Sequence, residues 1–70
     1  MPISHKDLSE LFSFLDESLD KAPCQHTLRY TLDFLAERRL FENEIVRWLG
    51  EYGGFCDCEV LANVAEHWDN

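Results

Sequence analysis

The stretch SHKDLSELFSFLDESLD, residues 4–20, decides the fold class. Ser4 with Asp7 three residues on has the form of a capping box, Asp standing where Glu or Gln is usual. Leu8, Leu11, Phe12, Leu15 and Leu19 then recur at helical spacing and draw one apolar stripe. Asp7, Glu10, Asp16, Glu17 and Asp20 stand mostly away from it. The spacing predicts an amphipathic helix, and its stripe needs neighbours.

Those neighbours follow at turn signals. Lys21-Ala22-Pro23 breaks the pattern, because proline cannot continue a helix. A second helix is expected from His26 or Thr27 to Arg39. Its main stripe is Leu28, Leu32 and Leu35, with Tyr30 and Phe34 together on another side. Residues 42–52 carry Ile45, Trp48, Leu49 and Tyr52 on one face, and Gly53-Gly54 supplies the left-handed conformation that a helix end needs. From Cys58 to about Trp68, Val60, Leu61, Val64 and Trp68 are helically spaced, with Asp57 as candidate N-cap. Residues 56–61 also fit a short strand or an irregular turn, since short apolar runs are ambiguous. The pattern is mainly α: one small domain over residues 1–70, a bundle of about four short helices.

Seventy residues give only a thin core. A chain of this size buries about 60% of the surface its unfolded form exposes, so a metal, a disulfide or association is the usual supplement. The nine aromatic residues and 46% hydrophobic content argue against disorder. No run approaches the ~20 apolar residues of a membrane span, and the N-terminal residues lack the order of a signal peptide, so the cytoplasm is the expected location. A formal charge of -8 repels phosphates and anionic lipid, so neither nucleic acid nor a membrane is an expected direct partner. The same charge leaves open an acidic mimic of nucleic acid that fills a protein's basic groove.

The candidate site is the set of cysteines. All three lie in two clusters, Cys24-Gln25-His26 and Cys56-Asp57-Cys58, each just after a breaker and just before an expected helix. Three thiols cannot all pair within one chain, and in a reducing compartment they are expected to be free or metal-bound. Cys24, His26, Cys56 and Cys58 together match the four-ligand shell of structural zinc. Such a clip would tie the second helix to the last. The Cys-x-His and Cys-x-Cys spacings are tighter than common zinc patterns, and Asp57 and Glu59 add charge that disfavours free thiolates. The alternatives are cysteines that simply pack, or a small thiol-dependent enzyme or redox protein using Cys56 and Cys58 with His26 as base.

The segments Cys24-x-His26-Thr27-Leu28 and Gly53-Gly54-Phe55-Cys56-Asp57-Cys58-Glu59-Val60-Leu61-x-Asn63-Val64 resemble a family of small bacterial proteins of uncharacterised function. The resemblance covers residues 23–64 and implies a bacterial cytoplasmic protein. It supplies no activity.

Three further features bear on function. Glu59 and Asn63, four apart on the last helix, are candidates either for support of the cysteine cluster or for capping and solvation. Glu37-Arg38-Arg39 with Arg47 reads as surface ion pairing, because acids are interleaved. Trp48, Tyr52, Phe55 and Trp68 are expected mostly in the core, while Ile3, Phe14, Tyr30 and Phe34 exceed what it can hide. An apolar patch of that kind suggests a homodimer or a protein partner. No small-molecule substrate is evident. The expectation is a zinc-clipped binding or protein-interaction module with no evident catalytic activity.

Overall fold

A computed structural model describes residues 2–23 and 25–68. Helix α1 is His5–Lys21, α2 is Arg29–Glu37 and α3 is Glu42–Glu51. The last helix, α4, covers residues 57–68, with Asp57–Glu59 and Ala65–Trp68 α-helical and Val60–Val64 π-helical between them. Among the described residues there is no strand, so residues 56–61 enter a helix rather than a sheet.

Local chemistry sets each boundary. Ser4 is the N-cap of α1, its side chain accepting the Asp7 N–H at 3.1 Å, as the capping pattern predicts. Helix α3 ends in a Schellman motif: Gly54 N–H donates to the Leu49 carbonyl at 2.9 Å and Gly53 N–H to that of Gly50 at 3.1 Å. Gly53 supplies the left-handed φ of 83° that this closure needs. Helix α2 ends in the same pattern, with Leu40 N–H on the Leu35 carbonyl and Arg39 N–H on that of Ala36. Here the left-handed residue is Arg39, φ 56°, where no glycine advertised a stop.

The core is built from one face of each helix. Leu8, Leu11, Phe12 and Leu15 of α1 are buried with Phe34 and Leu35 of α2, Ile45 and Leu49 of α3, and Val60 and Val64 of α4. Ile3, expected to overflow, is buried, and Phe14 packs on Phe34 with ring centroids 5.5 Å apart. Helix α1 lies against α2 and α4, and α2 also meets α3 and the start of α4. None of the described helices is long and apolar enough to cross a membrane.

Two expected faces are corrected. In α2 the buried side is Thr31, Phe34 and Leu35, while Leu32 is 40% exposed; the helix is turned by a contact at Thr31 described below. Phe55, expected in the core, is 69% exposed: its ring lies over Gly50 of α3, where a Cβ would stand 3.3 Å from it, and not among the buried side chains. A Cβ on Gly54 would stand 2.9 Å from Val64 Cγ2 and 3.0 Å from Val60 Cγ2, so only glycine lets the turn lie on α4.

Candidate metal centre

The start of α2 contains a deficit that leads to the site. Its N-cap residue is Leu28, whose side chain has no oxygen to receive the first N–H groups. Thr27, one residue earlier, uses its hydroxyl to accept only the Arg29 N–H, at 3.4 Å. The missing acceptor comes from the far end of the chain. Asp57, 2% exposed, accepts the Tyr30 N–H on Oδ2 and the Thr31 N–H on Oδ1, both at 3.0 Å, and the Thr31 hydroxyl on Oδ1 at 2.7 Å. These are the two amides that a local capping side chain would have taken, and the carboxylate also meets the positive end of the helix dipole.

The same residue binds the preceding loop through its backbone. Asp57 N–H donates to the Thr27 carbonyl at 2.9 Å. Asp57 therefore joins residues 27, 30 and 31 to the Cys-Asp-Cys segment through side chain and main chain together. Its expected role as N-cap of the last helix is corrected. Cys56 holds that position, in extended backbone with no side-chain cap bond, and the Val60 N–H closes the first turn on the Cys56 carbonyl at 2.9 Å.

With Asp57 turned toward α2, its two neighbours fall side by side. Cys56 Sγ and Cys58 Sγ are 3.2 Å apart, and either thiol can donate to the other. Cys56 is buried and Cys58 half-buried. His26 sits on the loop before α2, exposed, with a left-handed φ of 61°. The expected fourth member, Cys24, lies outside the described residues. Among the described residues the structure thus brings two sulfurs together, and no three His, Cys, Asp or Glu side chains gather as a metal shell.

Asn63 has a different task from thiol support. Its Nδ2 donates to the Gly53 carbonyl at 3.0 Å and braces the turn that leads into Cys56. The π-helical stretch sits at this level, the Ala65 N–H reaching back five residues to the Val60 carbonyl. Sequence reasoning missed Asp57 as the organising residue. The one available signal was a Thr27-Leu28 helix start lacking a cap of its own.

The remaining expected features resolve at the surface and at the edge of the core, against which Trp48, Tyr52 and Trp68 pack partly buried. Arg38 pairs with Asp7 and Glu10 of α1 and lies over the Phe34 ring, 4.5 Å from its centroid, so the expected ion pairing is seen at Arg38, with acids of α1 rather than the interleaved ones. Trp48, Tyr52 and Trp68 form a ring cluster with centroids 5.1 to 5.9 Å apart. His5 and His67, both exposed, lean on its edges.

Residues 11–63 match the model of the family described as protein of unknown function (DUF2695). The chain is 34% identical over 64 residues to the uncharacterized protein Mb2294 of Mycobacterium bovis and, equally, to the uncharacterized protein Rv2271 of Mycobacterium tuberculosis. The match takes in 91% of this chain and 65% of each relative, so the chain spans less than two thirds of their length. No solved structure matches it.

Proposed function

The chain belongs to the family of unknown function DUF2695, and we propose that it is a bacterial cytoplasmic binding module held together by zinc on Cys24, His26, Cys56 and Cys58. The observation that carries this reading is the 2.9 Å bond from Asp57 N–H to the Thr27 carbonyl. It sets Thr27, the neighbour of His26, against the Cys-Asp-Cys segment although about thirty residues separate them in sequence. Two sulfurs 3.2 Å apart stand near the spacing of about 3.8 Å that they would have on a tetrahedral ion with bonds of ~2.3 Å. Retention of His26 in a left-handed conformation costs on the order of 1 kcal/mol and is explained if its imidazole has a task.

The energetic motive is the thin core. Structural zinc in small peptides is worth on the order of 10–16 kcal/mol, so even a part of that is a large supplement to a small core. Phe55, exposed and adjacent to Cys56, gives such a clipped site an apolar residue to present to a protein partner. Metal analysis of the purified full chain tests the reading. One zinc per chain is expected, lost in Cys56→Ser and in Cys58→Ser. A chain that purifies without zinc, folds equally well in chelator and binds none on titration overturns it.

A further inference from the structure

The geometry points to Cys56 and Cys58 as a reversible oxidation site whose disulfide releases the Asp57 cap from α2. The argument starts with the two sulfurs. At 3.2 Å they are about 1.2 Å from bonding distance, ~2.05 Å, a gap that a small turn of the 56–58 segment closes. Their exposures differ in a useful way. Cys58 is half-buried and meets a dissolved oxidant, while Cys56, 4% exposed, is shielded from solvent and placed to resolve.

The chemistry balances with a hydroperoxide as co-reactant. The Cys58 sulfur attacks the peroxide oxygen, giving a sulfenic acid and the alcohol, or water from hydrogen peroxide. The Cys56 sulfur then attacks the Cys58 sulfur and expels the sulfenic oxygen as water, so two thiols lose two electrons and the O–O bond gains them. Where the thiols begin as zinc-bound thiolates, the two protons come from solvent and Cys56 and Cys58 would no longer be available to hold the ion. A small dithiol or a thiol tripeptide reverses the bond by exchange.

The residue between the two cysteines makes this consequential. Asp57 holds the Thr27 carbonyl by its N–H and the Tyr30 and Thr31 amides by its carboxylate. A bridge between residues 56 and 58 bends the three-residue segment, and strained bridges of this kind are the readily reduced ones. Asp57 cannot keep its main-chain and side-chain partners while both flanking residues turn inward. Oxidation therefore frees the start of α2, whose own cap residue is a leucine.

The oxidation step stands without zinc, whereas metal release rests on the zinc reading above, and the test separates them. The full chain, as purified and after chelator treatment, is exposed to hydrogen peroxide and digested with trypsin. Both Cys56 and Cys58 fall on the fragment 48–70 and Cys24 on the fragment 22–29. The expected product is fragment 48–70 lighter by about 2 Da in both samples, restored by dithiothreitol. Hydrogen exchange at the Tyr30 and Thr31 amides is expected to quicken at least tenfold in the oxidised chain. In chelator, Cys58→Ala should show no mass loss, and its exchange at these two amides should be the same before and after peroxide. Cross-linked fragments 22–29 and 48–70, a terminal sulfinic acid on Cys58, or a 56–58 bridge that leaves both amides protected overturns the proposal. If the purified chain holds no zinc but forms the bridge and loosens α2, the metal reading fails and this one stands.

Discussion

Asp57 holds Thr31 twice: Oδ1 accepts both the backbone N–H, at 3.0 Å, and the side-chain hydroxyl, at 2.7 Å, of a residue 26 positions earlier. Both partners are buried. A charged acceptor in a dry position makes hydrogen bonds worth more than neutral ones, and its loss leaves the donors unsatisfied. Asp57→Ala is therefore expected to cost about 3 kcal/mol, and Thr31→Val, which keeps the amide bond, about 1 kcal/mol. Urea unfolding of the three proteins in chelator measures both. A cost below about 0.5 kcal/mol for Asp57→Ala would remove the residue from the centre of the fold.

The Gly53-Gly54 turn makes a second prediction. A methyl group on Gly54 would meet Val64 Cγ2, Val60 Cγ2 and the Leu49 carbonyl oxygen at 2.9, 3.0 and 3.1 Å. Two of those atoms belong to fully buried valines and one to backbone, so none moves cheaply. Gly54→Ala is expected to destabilise by about 1–3 kcal/mol. Asn63→Ala removes the brace on the Gly53 carbonyl, and since Asn63 is exposed, water replaces the bond and the expected cost is below about 1 kcal/mol. Reversal of that order in thermal or urea denaturation would contradict the packing of the turn on α4.

Arg39 gives a prediction in the stabilising direction. It holds the left-handed position at the end of α2, φ 56°, a place that suits glycine. Arg39→Gly relieves a conformation costing about 1–2 kcal/mol and gives back part of that through a freer unfolded chain. The net gain expected over Arg39→Ala, which loses the same charge but keeps the strain, is about 1 kcal/mol. Equal melting temperatures for the two variants would show that the backbone is relaxed there in solution.

The elements that announce themselves locally were legible, and those set from a distance were not. Ser4 with Asp7, the α1 stripe, the α3 face and the Gly53-Gly54 stop each depend on residues within a few positions, and each stands in the fold as the spacing predicts. The buried side of α2 depends on Asp57, whose carboxylate fixes Thr31 inward and leaves Leu32 at the surface. Hydrophobic periodicity ranks Leu32 above Thr31 and cannot see an acceptor that arrives 26 residues later. The same limit hid the site's geometry. Cys56 and Cys58 were identifiable as neighbours, but the staple beside them looked like the cap of their own helix. The π-helical turn at Val60–Val64 has no sequence signature of comparable strength.

His26 separates a metal ligand from a merely strained loop residue. Its φ of 61° means that glycine, taken on backbone alone, is the better residue there, by the same argument as at Arg39. If the imidazole holds zinc, that preference reverses whenever metal is present. With one equivalent of zinc, His26→Gly and His26→Ala are both expected to fall below the native chain by several kcal/mol, on the order of a quarter of a structural site's energy. In chelator the native chain loses that advantage, and His26→Gly should exceed His26→Ala by about 1 kcal/mol. The crossing of the two stability orders, read by urea denaturation with and without metal, is the signature of a ligand. Parallel curves that keep one order in both buffers would assign His26 to the loop alone.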